Sequence, residues 1–289
     1  DIRFSFLTGI TRYSQLGIFS ELNNLKNISM MPEYAGVCGI TQEELDTALR
    51  PDVELMARKM GVSVGVMYAK LKYMYDGYHM CEDSPNIYSP FSLINSLSDG
   101  RLNNYWFGSA TPTMLVRYLR KMGTRLDMSE LDGVETSVRG FDVPIEVARS
   151  PLPLLYQSGY LTIHSYDAYV DMYTLCIPNN DVRIGLSDSL LPLLSNYESA
   201  QTDTFIAAFK RAVRDDNMAR ARELLMAYFA GIPCNVLSDK GEKTYHAIFY
   251  ALFSLLGFAP KIENGCARGY SDMIFETKTS VYCMEFKVD

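Results

Sequence analysis

The sequence holds only three histidines, and its six cysteines (Cys38, Cys81, Cys176, Cys234, Cys266 and Cys283) show no CxxC spacing. The paired ligands of a structural zinc site are therefore missing. Scattered cysteines among apolar neighbours read as reduced, buried thiols of a cytoplasmic protein. No GxxxxGK[ST] segment occurs, so the backbone cradle for nucleotide phosphates is lacking, and this polypeptide is not expected to hydrolyse ATP. No apolar run reaches the roughly 20 residues of a membrane span. No basic-then-apolar segment opens the chain, and no stretch is of low complexity. The net charge of −7 excludes a chain-wide basic coat for nucleic acid. Any such contact needs a local basic surface. Arg117, Arg120, Lys121 and Arg125 offer one, although the acids that follow (Asp127, Glu130, Asp132, Glu135) also fit a solvated helix face.

What is present is apolar: 48% of the 289 residues are hydrophobic, enough for two modest packed domains. The pattern predicts a buried strand over 2–7, ending at Thr8-Gly9, and a short helix or turn over 20–25. Thr41 with Glu44 three residues later predicts a capped helix start. Helices follow over 53–59 and 63–75, the latter with apolar residues at helical spacing. Further helices are expected over 91–97, 111–121, 151–160, 187–195, 202–213, 218–230 and 241–258, and strands over 160–164 and 172–177. Tyr75-Asp76-Gly77-Tyr78 reads as a turn. His79 beside Asp76 could be taken for a catalytic pair, but adjacency in sequence does not make one. Asn104 to Phe107, with the single tryptophan, reads as a packing anchor.

The last stretch, Asp272 to Lys287, carries the chemistry. Two apolar runs, Met273–Phe275 and Val281–Phe286, flank Thr277-Lys278-Thr279-Ser280. That pattern predicts a β-hairpin. A two-residue loop at Lys278-Thr279 would pair Thr277 with Ser280 and set Asp272 across from Glu285, with Cβ atoms about 5 Å apart. Glu285 and Lys287 share one face by alternation. Opposed carboxylates repel, and a divalent cation bound through oxygen would relieve them. The strands look apolar on both sides, which predicts cover on both faces. Ordinary strand-end charges remain the other reading, because Lys-Thr is not a favoured hairpin turn. Upstream, Glu242 is either a capping-box acid three residues after Asp239 or a further ligand, with His246 four residues on along the same face.

A D…ExK hairpin preceded by a helix with a glutamate resembles the PD-(D/E)XK nuclease superfamily. The chain as a whole resembles a bacterial family in which an AAA-ATPase-like region precedes such a nuclease-like domain. The segments that carry the resemblance are FLTGITRYS (6–14), IFSELNNL (18–25), YDGY (75–78), YSPFSLINSL (88–97), NYWF (104–107), TPTMLV (111–116) and YQSGYLTI (156–163), with the C-terminal hairpin. Ser271 stands where the motif has proline. The resemblance implies an α+β, predominantly helical fold: a helical and winged-helix-like ATPase lid region followed by a truncated α/β nuclease domain. Residues 1–30 would be the C-terminal part of an ATPase core, 31–231 its helical and winged-helix-like region, and 232–289 the nuclease-like domain. The chain is then expected to be a fragment lacking the P-loop and the end of the nuclease domain. Thr8, Thr11 and Arg12 would lie near nucleotide, and ATP would bind only a longer parent. The implied chemistry is Mg²⁺-dependent phosphodiester hydrolysis on DNA or RNA. Asp272 and Glu285 would be the metal ligands, Lys287 the water-positioning group, and Glu242 a helper. Self-association through the ATPase-like region is expected, and no membrane. The alternative is a non-catalytic nucleic-acid- or protein-interaction module that keeps the nuclease scaffold.

Overall fold

A computed structural model describes residues 3, 4, 6, 8, 9, 11, 26–106, 111–122, 126, 128–195, 199–232, 242–258, 260–266, 269–276 and 280–285. Helices dominate, with two small antiparallel sheets, and the fold is α+β. Two compact units divide within helices: residues 1–118 with 131–182, and residues 119–130 with 183–289. The boundary at 231 expected from sequence falls inside the second unit.

In the first unit, α1 (Gln42–Thr47), α2 (Arg50–Lys59), α3 (Val64–Tyr75) and α4 (Pro90–Asp99) enclose one core. Thr41 and Glu44 form a reciprocal capping box: the Glu44 N–H donates to Thr41 Oγ1 at 3.2 Å, and the Thr41 N–H donates to Glu44 Oε2 at 2.8 Å. Thr41→Ala should cost about 1 kcal/mol, read as a shift of the thermal midpoint by a few degrees. The α3 residues Met67, Leu71 and Tyr75 recur at i, i+4 and i+8 and are fully buried against Val53, Met56 and Leu93. After α5 (Thr111–Met122) come β1 (Val134–Thr136), α6 (Val138–Phe141), α7 (Leu152–Gln157), β2 (Thr162–Asp167) and β3 (Met172–Cys176). The sheet order is β1-β3-β2, with a register shift between Ile163 and Ser165. The Gln157 amide donates to the carbonyls of Phe141 and Val143, tying α7 to the segment before it.

The buried strand expected over 2–7 is not found at its described positions. Arg3, Phe4 and Phe6 lie outside any strand, and Phe4 is 83% exposed. A strand needs a ladder partner to satisfy its backbone, and none pairs with these residues among those described. The segment 20–25 and Arg12 lie outside the described residues.

The second unit contains most of α8 (Asn180–Ser195), then α9 (Ser199–Arg214), α10 (Met218–Ala230) and α11 (Glu242–Leu255). Its last elements are β4 (Lys261–Cys266), β5 (Gly269–Glu276) and β6 (Val281–Met284), in the order β4-β5-β6. Helix α8 starts seven residues before the expected 187. The Asn179 side chain accepts from the Val182 N–H at 3.0 Å and caps the helix. Helix α11 buries every residue from Ala247 to Phe253, so it forms the centre of its unit rather than one side of it. Among the described residues no helix is long and apolar enough to cross a membrane.

Candidate active site

The C-terminal hairpin packs on α11 through one side chain above all. Phe275 of β5 lies 4.7 Å from Phe253, 5.0 Å from Phe258 and 4.9 Å from Tyr282, centroid to centroid. Phe275 and Met273 are buried, at 4% and 0% exposure, while Ile274 is half-buried and Glu276 exposed. Alternation along the strand thus gives one face packed on the helix and one face more open. On β6 the same alternation leaves Val281 64% exposed and Cys283 exposed. Among the described residues, cover on both faces, expected from the apolar composition, is therefore not observed. Val, Ile and Cys suit a strand whether or not its second face is buried.

The ladder of β5 with β6 runs Glu276↔Val281, Phe275↔Tyr282, Ile274↔Cys283 and Met273↔Met284. Asp272 and Glu285 are the next residues along their segments after the last of these pairs. Asp272 is a backbone position within β5, and Glu285 follows β6 directly with an exposed side chain. Lys287 and the Thr277–Thr279 connection lie outside the described residues. Glu242 is the first residue of α11. The Glu242 and Asp272 side chains also lie outside the described parts. His246, one turn after Glu242, is buried at 5% exposure.

A further contact was not anticipated from sequence. The Arg183 guanidinium of α8 donates to the Tyr250 hydroxyl of α11 and sits 5.8 Å from the ring centroid. Tyr250 lies two turns after Glu242, on the stripe that includes His246. No local pattern marks Arg183, since its partner is 67 residues away. Among the described residues, no group of three or more His, Cys, Asp or Glu is placed to hold a metal ion. The donor chemistry of Asp272 and Glu285 nevertheless fits a hard divalent cation, which takes oxygen ligands.

The other acid and histidine noted in the sequence have structural surroundings. Asp76 is buried, and burial pushes its carboxyl above the ordinary value against a hydrogen bond from Gly77 and the Lys72 charge. The His79 main chain both donates to and accepts from the Thr162 hydroxyl. This ties the turn to β2, and among the described residues Asp76 and His79 share no hydrogen bond.

Comparison with known proteins bears on this region directly. Residues 240–289 match the family model of the PD-(D/E)XK nuclease superfamily. The chain is 27% identical over 294 residues to "Uncharacterized protein in vnfD 5'region" of Azotobacter chroococcum mcd 1, covering 99% of this chain and 54% of that protein. It thus spans about half the length of that curated relative. No solved structure matches the chain. The segment running from the start of α11 through β4, β5 and β6 is a PD-(D/E)XK nuclease superfamily domain.

Proposed function

We propose that the protein is a metal-dependent nuclease module that hydrolyses phosphodiester bonds in DNA or RNA. The observation that carries this reading is the superfamily match over 240–289, joined to a ladder whose last pair, Met273↔Met284, directly precedes the two acids. Asp272 and Glu285 would hold a divalent cation, Mg²⁺ by the chemistry of the donors, with Glu242 as a third ligand or water-orienting acid. Such a cation, when bound, supplies Lewis-acid polarisation of the phosphate and a bound water of lowered pKa. Lys287 orients the attacking water and offsets charge developing on the phosphate oxygens. The water oxygen bonds to phosphorus, the P–O bond to the leaving sugar oxygen breaks, and the water proton passes to solvent or to that oxygen. Opposed acids without a cation repel, so the pair also makes the hairpin end sensitive to metal.

On the same reading, residues 1–231 are an ATPase-type regulatory region with a winged-helix-like element over 151–177. The same reading sets the protein in the cytoplasm. The test is cleavage of single- and double-stranded DNA and RNA in Mg²⁺ or Mn²⁺. Glu285→Gln should lower the rate on the order of 100-fold while nucleic-acid binding persists. Chelation should abolish cleavage. No cleavage with either metal, or equal rates in the variant, would favour a non-catalytic scaffold instead.

A further inference from the structure

The tip joining β2 to β3 is Asp167-Ala168-Tyr169-Val170-Asp171, and its two large side chains face solvent: Tyr169 is 96% exposed and Val170 55%. The tip is nonetheless fixed in shape. The Tyr169 N–H donates to Asp167 Oδ1 at 2.8 Å, and the Tyr166 hydroxyl donates to Asp171 Oδ1 at 2.9 Å. Asp171 holds the left-handed conformation at φ 56°. Behind the tip, Tyr166 and Tyr173 lie 4.5 Å apart, and the Tyr173 hydroxyl donates to Glu82 at 3.3 Å. A preformed aromatic knob loses little conformational entropy on docking, which is where exposed tyrosine contributes most to an interface.

The charge around the knob selects its partner. Asp167, Asp171 and Glu82 all act on the Tyr166 ring system, where the Asp171 hydrogen bond and the neighbouring carboxylates raise the hydroxyl pKa. Asp83 adjoins them in sequence. Among the described residues none of these four acids is ion-paired with a cation. No lysine or arginine occurs from Thr162 to Cys176. A wing that enters a nucleic-acid groove needs the opposite sign, because phosphates repel such a surface. A basic protein surface with an apolar centre fits.

The chain itself carries a small site of that kind, one arginine beside an exposed methionine. On α10, Arg222 and Met226 are one turn apart on the exposed face, and Met226 is 59% exposed. Arg222 makes no ion pair among the described residues, whereas the neighbouring Arg220 is paired with Glu223. We propose that the acidic Tyr169–Val170 tip of one copy docks on the Arg222–Met226 face of α10 in a second copy. The contact is heterologous, so it builds a ring or a chain of copies rather than a two-fold dimer. It is small and therefore weak, with association expected in the range of about 10–100 µM.

The test is sedimentation velocity of the 289-residue chain across that range. The wild type should gain mass with concentration. Tyr169→Arg and Arg222→Glu, each at an exposed position that spares the core, should each stay monomeric at concentrations where the wild type associates. An equimolar mixture of the two variants should associate again, because each supplies the complementary face the other lacks. Monomeric wild type throughout, variants that associate as the wild type does, or a mixture that stays apart would each overturn the contact. So would a Tyr169→Arg variant whose only change is its affinity for a DNA duplex.

Discussion

Gly77→Ala should unfold the first unit more readily than any other single-methyl change there. Gly77 sits at φ +113°, a conformation that costs an L side chain about 1–3 kcal/mol. A Cβ at this position would also overlap the Pro178 carbonyl oxygen. That oxygen is main chain and moves only with the start of α8. Its displacement would disturb Asn179, which caps the helix, and Asn180, which accepts from the Tyr73 hydroxyl at 3.3 Å. On the other side the turn is held by the Tyr78↔Ile87 bridge and by Tyr78 donating to the Gly159 carbonyl at 2.9 Å. With neither neighbour free to yield, overpacking adds about 1–3 kcal/mol. The expected total is about 4 kcal/mol, or a loss of about 1–2 M in the urea midpoint. The single tryptophan, Trp106, reports on this unit, because it packs 6.0 Å from Tyr78 and 6.2 Å from Tyr160. Gly65→Ala is the control of opposite sign. Nothing lies within 4 Å of a Cβ at Gly65, which is exposed in α3, so alanine should stabilise by about 0.5–1 kcal/mol. A Gly77→Ala midpoint within error of the wild type would mean that the turn does not meet Pro178.

That contact shows where the sequence was readable and where it was not. The cap at Thr41 is legible because Glu44 stands three residues on, whereas Ser63, Asn179 and Asn217 cap their helices without such a partner in the sequence. The β5–β6 register was legible because two apolar runs around one polar connection leave few alignments that keep Met273 and Phe275 on the same face. Strand β4 was not, since Lys-Ile-Glu-Asn-Gly-Cys holds residues that strands avoid, and its state is fixed by pairing with β5. Gly77 was readable as a turn residue, but its neighbour is 101 positions away. A separation of 67 positions likewise hid Arg183 as a partner of Tyr250. At the candidate site, sequence supplied the acids and their spacing. It could not supply the exposure of Val281 and Cys283, which depends on what the rest of the chain lays against the sheet.

Asp181→Asn should change the sign of its effect with pH. Asp181 is 1% exposed, and burial pushes its carboxyl from 3.8 up to about 6, even though Ser92 and the main-chain N–H groups of Trp106 and Tyr105 donate to it. Its oxygens lie 3.2 and 3.3 Å from the Trp106 nitrogen. The proton is thus held more tightly in the folded chain than in the unfolded one. The stability this confers is fully present below 3.8 and is lost as pH rises through about 6. Over that window the cost of ionising Asp181 amounts to about 3 kcal/mol. Asparagine keeps one acceptor for the Trp106 N–H and carries no charge, at the expense of about 1 kcal/mol for a lost hydrogen bond. Near pH 4 the variant should therefore be slightly less stable than the wild type, and near pH 7.5 more stable by about 2 kcal/mol. The other acids raised by burial, Asp76 and Asp188, are common to both proteins and cancel in the difference. Urea unfolding at several pH values, followed by Trp106 fluorescence, reads that difference directly. Parallel stability curves between pH 4.5 and 7.5 would show that Asp181 titrates as an ordinary aspartate. A protein that keeps a buried acid at this cost needs its two oxygens, because an apolar residue at 181 would strand the main-chain donors of Tyr105 and Trp106 away from water.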